Sequence, residues 1–223
     1  VAVIPGAQAE LYAALLDVLD IGQVTVIAVS AGGPAALAFA LRYPERVSAL
    51  ILVSCCTGTL TPPRAVTAML PLMRLAARSS LLMGVLTRGL GDPDQAARRS
   101  IRDREVLART LADPEAAGLM AALNRSVVDR MAERLPGTIA DTRLFASQAP
   151  IAVGALKVPM LVIHGTADRI VPFEHGKRVA DEAPRGELMA IAGGEHVSLF
   201  TALHQVRSRI ATFLAATGNS ASG

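Results

Sequence analysis

At 223 residues the chain is long enough for one domain with a substantial buried core, and 52% apolar against 18% charged residues excludes a disordered polymer. Aromatic residues make up only 3%, with no Trp, so the core must be built from Ala, Val, Leu, Ile and Met. The net charge of +3 comes from scattered arginines rather than a basic block interleaved with aromatics, which argues against a nucleic-acid partner.

Residues 1–6 read as a short strand or loop ended by Pro5-Gly6. Gln8 to Leu19 follows as an amphipathic helix with Leu11, Leu15, Val18 and Leu19 on its apolar stripe. Val24 to Val29 is a continuous apolar, β-branched-rich run, the mark of a strand in a parallel sheet. Ala31 to Tyr43 is an Ala- and Leu-rich helix stopped by Pro44, and Val47 to Val53 is a second strand, which completes a βαβ unit.

Residues 57–150 change character. They carry helical periods, many Arg and five Met, with breaks at Pro62-Pro63, Gly91-Asp92-Pro93, Asp113-Pro114 and Pro136-Gly137. Four or five helices and no strand are expected, Asp92 and Asp113 acting as N-caps with Pro in the first turn. The most apolar stretch, Thr67 to Gly91, is interrupted by Arg74, Arg78 and Arg88, so no membrane span is expected. Strand–helix alternation then resumes: Val158 to His164 (strand), Phe173 to Ala183 (helix), Glu187 to Ile191 (strand) and Ser198 to Ala215 (helix), before a disordered tail at 217–223. The expected class is α/β, a parallel sheet in segments 1–56 and 151–216 interrupted by the 57–150 insertion.

Ala28-Val29-Ser30-Ala31-Gly32-Gly33 lies between a strand and a helix. That is the setting of a nucleophile elbow, G-x-S-x-G, with Ala28 in place of the first Gly. The tight turn is expected to bring the positions two before and two after Ser30 against backbone, where only small residues fit. An ordinary strand-to-helix turn with a Ser N-cap would read the same way in isolation. Asp168 and His196 each fall just beyond a strand end, where open parallel sheets gather their functional groups. The order Ser, Asp, His suits a hydroxyl nucleophile, a base and an acid that fixes the tautomer of the base.

These segments resemble the α/β-hydrolase superfamily, in particular its lid-bearing bacterial members. VIAVSAGGPAALAFALRYPERVSALILVS is similar to that family's elbow, following helix and next strand; VPMLVIHGTADRIVPFEHG to its acid loop; GGEHVSLF to its histidine loop. The resemblance implies Ser30, Asp168 and His196 as a catalytic triad, the Ala31 N–H as an oxyanion donor and residues 57–150 as a helical cap. It implies hydrolysis of an ester or related acyl bond in a small, largely apolar substrate, without metal or organic cofactor. C–C bond hydrolysis, amide cleavage and acyl transfer stay open within the family, as does a ligand-binding or catalytically impaired fold, and membrane binding through the cap is a third class.

The family places several strands before the elbow strand, one ending in a loop that supplies a second oxyanion donor; only about two dozen residues precede Val24 here. The expectation is a chain that begins part-way through a longer protein, with Val24–Val29 as an exposed edge. Pairing with a second copy along that edge is the alternative. Cys55 and Cys56 are sequence neighbours, which excludes a disulfide framework and points to a reduced, cytoplasmic setting. His164 is assigned to packing near the rim, His175 and His204 to surface or packing positions, and Glu195 to a solvated acid.

Overall fold

The computed structural model describes residues 4–61, 64–76, 78–79, 81–82, 84 and 92–219. They divide into two compact units, Val1–Leu60 with Gln148–Gly223, and Thr61–Ser147.

The first unit is built on four parallel strands in the order β1 (Val24–Val29), β2 (Val47–Val53), β3 (Met160–Gly165) and β4 (Gly186–Ile191). β1 and β2 occupy the expected residues, whereas β3 runs from Met160 through Gly165. Alternation along the central strands divides two apolar layers. Leu50 and Leu52 of β2 with Met160 and Val162 of β3 join one core cluster, and Ile51, Val53, Leu161 and Ile163 join the other. The first layer is closed by α1 (Pro5–Val18), α2 (Gly33–Arg42) and α8 (Phe173–Glu182), the second by α10 (Leu203–Asn219) through Val206 and Phe213.

The apolar stripe expected to bury α1 is its exposed face. Leu11, Leu15, Val18 and Leu19 are all more than half exposed, while Ala9, Ala13 and Leu16 are buried. Small alanines allow α1 to approach α2 closely, and Tyr12 meets the Phe39 ring edge-on at 5.9 Å. Arg46 then ties the end of α1 to β2. Its guanidinium donates to Asp17 Oδ1 at 2.6 Å and to the Ile21 and Gly22 carbonyls at 2.8 Å each. β1 is an edge strand, as expected, with Ile27 56% and Val29 47% exposed.

In the second unit the described helices are α3 (Arg64–Ala76), α4 (Pro93–Ser100), α5 (Arg104–Ala112), α6 (Pro114–Asp129) and α7 (Met131–Ser147), with no strand among the described residues. Asp92 and Asp113 are the expected N-caps; Asp103 is a third. Each accepts two backbone N–H bonds, a device worth typically about 1 kcal/mol per helix. The expected break at Pro136-Gly137 does not occur. Pro136 costs α7 one backbone bond, but Leu135, Ile139 and Phe145 on the same helix are buried and hold it through. The Pro62-Pro63 break and Gly91 lie outside the described residues.

The final helix expected as one piece is two, α9 (Ser198–Thr201) and α10, separated by Ala202. The tail expected to be disordered from 217 is helical through Asn219. Thr217 Oγ1 donates to the Phe213 and Leu214 carbonyls at 3.1 Å, continuing the helix by its side chain.

Candidate active site

β1 ends in a sharp turn. Ser30 sits at φ +53°, a left-handed conformation that a non-glycine residue adopts at a cost of order 1–3 kcal/mol, and opens a 3₁₀ turn, Ser30–Gly32, into α2. The small residues of this elbow divide differently from the motif's expectation. A Cβ on Gly32 would meet only the Ala28 Cβ, at an ordinary 3.7 Å. A Cβ on Gly33 would lie 2.5 Å from the Cys56 carbonyl oxygen and 2.8 Å from the Cys55 Cβ. The tight approach is thus made by Gly33 against the loop leaving β2, and Cys56 N–H donates to the Ser30 carbonyl at 3.1 Å.

Ser30, Asp168 and His196 come together. Ser30 Oγ lies 2.9 Å from His196 Nε2, and His196 Nδ1 lies 2.8 Å from Asp168 Oδ2. Asp168 is fixed by its own loop: Oδ1 accepts the Ile170 and Val171 N–H groups at 2.9 and 3.0 Å. An ionised acid in this place makes Nδ1 the protonated nitrogen of His196 and leaves Nε2 to accept from the Ser30 hydroxyl. Ala31 is the second residue of the turn and is exposed.

His164, assigned to packing from sequence, is a wholly buried neighbour of the acid. Its Nε2 is 2.9 Å from the Val171 carbonyl and 3.4 Å from Asp168 Oδ2. The carbonyl can only accept, so Nε2 carries a proton, while Nδ1 is buried without a hydrogen-bond partner among the described residues. Burial by itself pushes the Asp168 carboxyl up. Hydrogen bonds from His164, His196 and the Val171 N–H, with the charge of His196, outweigh it and hold the group well below the usual carboxylate range.

The acid loop and the histidine loop share backbone. Thr166 and Ala167 donate to the Ile191 and Gly194 carbonyls at 3.0 and 2.9 Å, and Gly193 N–H donates to Thr166 Oγ1 at 2.9 Å. Gly165 and Gly194 permit this contact, since a Cβ on Gly165 would collide with the Gly194 carbonyl. Gly193 supplies a left-handed φ of +66° just before His196.

Cys55 is buried 25 residues after Ser30 in sequence and donates to the Ala28 carbonyl at 3.3 Å; burial pushes its thiol up to about 12, and that of Cys56 upward too. Both thiols are protonated packing groups under ordinary conditions. Among the described residues no three His, Cys, Asp or Glu side chains gather as metal donors. Among the same residues no helix is long and apolar enough to cross a membrane.

A family model described as serine aminopeptidase S33, a hydrolase family, matches residues 13–201. The chain belongs to the α/β-hydrolase superfamily. A solved α/β-hydrolase fold protein from Nakamurella multipartita is 28% identical with a TM-score of 0.74, the match covering 95% of this chain and 76% of that one. A thermophilic esterase from Thermogutta terrifontis shares the fold at a TM-score of 0.63 and 22% identity, over 96% of this α/β-hydrolase and 73% of the esterase. The 2-hydroxy-6-oxononadienedioate/2-hydroxy-6-oxononatrienedioate hydrolase of Paraburkholderia xenovorans is 27% identical over 94% of this chain, which spans 70% of that relative's length. The match to an uncharacterized hydrolase of Bacillus subtilis is 51% identical but spans only 24% of this chain and 19% of that protein.

Proposed function

We propose that this α/β-hydrolase cleaves an ester or related acyl bond of a small, largely apolar substrate through an acyl-enzyme on Ser30. The observation that carries the reading is the unbroken relay from Ser30 Oγ through His196 to a buried Asp168, each link under 3 Å. Ser30 Oγ attacks the substrate carbonyl while His196 Nε2 takes the hydroxyl proton. Asp168 stabilises the imidazolium that forms, and its depressed pKa keeps it ionised throughout. The oxyanion develops beside the N–H of Ala31, at the start of the turn into α2. A single such donor is worth about 2.7–4 kcal/mol in the transition state. The imidazolium returns its proton to the leaving group, and a water deprotonated by His196 then releases the acid and frees Ser30.

A second reading is supported by the length over which the relatives match. The Paraburkholderia hydrolase aligns along 94% of this chain, and its named substrate is an oxo dicarboxylate. Applied here, the same relay would serve hydrolysis at a ketone, with a C–C bond broken in place of an ester.

The test is intact-mass analysis after treatment with a fluorophosphonate, with Ser30→Ala alongside, followed by turnover of p-nitrophenyl acyl esters and of the oxo dienedioate. One adduct on wild type and none on the variant is expected, with ester turnover exceeding ketone turnover. A folded wild-type protein that takes no adduct overturns the hydrolase reading in favour of ligand binding, and the opposite substrate preference favours the C–C reading.

A further inference from the structure

The loop that leaves β2 touches the nucleophile's turn on two sides. Gly33 packs against the Cys56 carbonyl and the Cys55 Cβ, and Cys56 N–H holds the Ser30 carbonyl at 3.1 Å. One residue on, Thr57 is itself gripped from α8, the helix that follows the acid loop. Thr57 N–H donates to His175 Nδ1 at 3.1 Å, and Thr57 Oγ1 donates to the His175 carbonyl at 3.0 Å. Arg178, one turn further along α8, donates to the Thr57 carbonyl at 2.9 Å and to the Ile151 carbonyl at 3.3 Å. Every polar atom of Thr57 thereby has a partner on α8, its carbonyl also accepting the Ile151 N–H at 3.4 Å, and the residue is buried. The nucleophile's carbonyl and the acid's following helix are linked through two consecutive residues, Cys56 and Thr57.

The imidazole of His175 is the one link in this chain that can be switched by a single proton. A backbone N–H can only donate, so Nδ1 must be bare and the ring neutral. Burial, then the nearby His164 and Arg178, lower its pKa, whereas Glu174 and Asp168 oppose them. Net, the acceptor form is the favoured one.

We propose that His175 is a positioning residue for the nucleophile: by accepting the Thr57 N–H it fixes the Cys56–Thr57 segment that holds the Ser30 carbonyl. This inference rests on the serine-hydrolase reading of Ser30. His175 touches neither member of the Ser30–His196 pair in this arrangement; it acts through Thr57 and Cys56. Removing its acceptor leaves a buried N–H without a partner, and the segment must shift to find one.

The experiment compares wild type, His175→Leu and His175→Asn. Asn places an amide oxygen close to the position of Nδ1 and keeps the acceptor without the ring. Two quantities are read: the fluorophosphonate inactivation rate separated from its binding constant, and the amide hydrogen exchange of Cys56 and Thr57. His175→Leu is expected to lower the inactivation rate on the order of ten- to a hundredfold at an unchanged binding constant, and to speed exchange at both amides. His175→Asn is expected to restore both. A wild-type rate in His175→Leu, a His175→Asn variant as slow as His175→Leu, or an unchanged Cys56 amide would overturn the inference. Should the leucine variant fail to fold, the ¹⁵N shift of His175 Nδ1 in wild type decides, a protonated Nδ1 at pH 8 sinking the idea and a bare one supporting it. A wild type that takes no probe overturns the hydrolase reading and this inference with it, whereas a labelled wild type with an indifferent His175→Leu overturns this inference alone.

Discussion

His164 and His196 approach the same carboxyl oxygen, Asp168 Oδ2, at 3.4 and 2.8 Å. The acid therefore has a buried histidine behind it and a part-exposed one in front. Its other oxygen is committed to the N–H groups of Ile170 and Val171. Four groups thus orient one carboxylate, and its pKa is held down against the opposing effect of burial.

Removing His164 should make stability less sensitive to acid. A carboxyl depressed in the folded state contributes stability that is fully present above its unfolded value, near 3.8, and is lost as pH falls through the folded value. In His164→Leu the depression shrinks. The difference in Tm between wild type and variant should then be largest near neutrality and narrow below pH 3.8. A thermal-denaturation series from pH 7 to 2 reads it, and a constant difference would reduce His164 to packing alone.

Asp168→Asn should leave the fold intact and the chemistry crippled. Asn keeps the Ile170 and Val171 bonds through its oxygen but presents an NH₂ group to His196, which favours the wrong tautomer. A loss of kcat on the order of 10⁴ is expected, with a KM shift of much smaller size. Steady-state kinetics on the best ester substrate is the check. A loss under about tenfold would mean that His196 is oriented by something other than the acid.

The strands and the three site residues were legible because each is written locally. Val24–Val29 and Val47–Val53 are apolar runs bounded by turn residues; Ser30 directly follows the first, and Asp168 and His196 lie in the loops just past β3 and β4. The face of α1 was not legible. Its sequence carries two apolar stripes, Leu11-Leu15-Val18 and Ala9-Ala13-Leu16, and which is buried depends on α2, a partner that helical period does not name. The hydrogen bonding of His164 was not legible for a similar reason, although its packing near the rim was. Its hydrogen-bond partner, Val171, lies seven residues away around a loop whose path no pattern prescribes. Pro136 signals a helix break by local rule, and the burial of Leu135 and Ile139 overrides it.

The two glycines of the elbow should respond oppositely to alanine. A Cβ on Gly32 makes only an ordinary 3.7 Å contact with the Ala28 Cβ, and its φ of −73° suits any residue, so Gly32→Ala should leave Tm and labelling of Ser30 unchanged. Gly33→Ala forces a methyl against the Cys56 carbonyl, which is main chain and cannot swing aside. Overpacking of this kind costs about 1–3 kcal/mol, and should also disturb the bond from Cys56 to Ser30. Paired melting curves are sufficient. A loss at Gly32 equal to that at Gly33 would show that the β2 loop is not what the elbow rests against.

His175 should give the protein a stability step in mild acid. Its folded pKa lies below the ordinary 6.5, since burial disfavours the charged ring. The unfolded chain therefore takes up this proton first. The stabilisation is complete above pH 6.5 and declines as pH falls from there through the folded value. In His175→Asn the acceptor has no proton to gain, so its Tm should vary less with pH than that of wild type below 6.5, and the two should run parallel above it. Protonation also converts Nδ1 from acceptor to donor facing the Thr57 N–H, so loss of Ser30 reactivity should accompany the decline in stability in wild type. Fluorophosphonate inactivation rates measured on both proteins from pH 8 to 5 read it, the wild-type rate falling more steeply in acid than that of His175→Asn. Identical acid limbs in the two proteins would leave His175 a structural acceptor only.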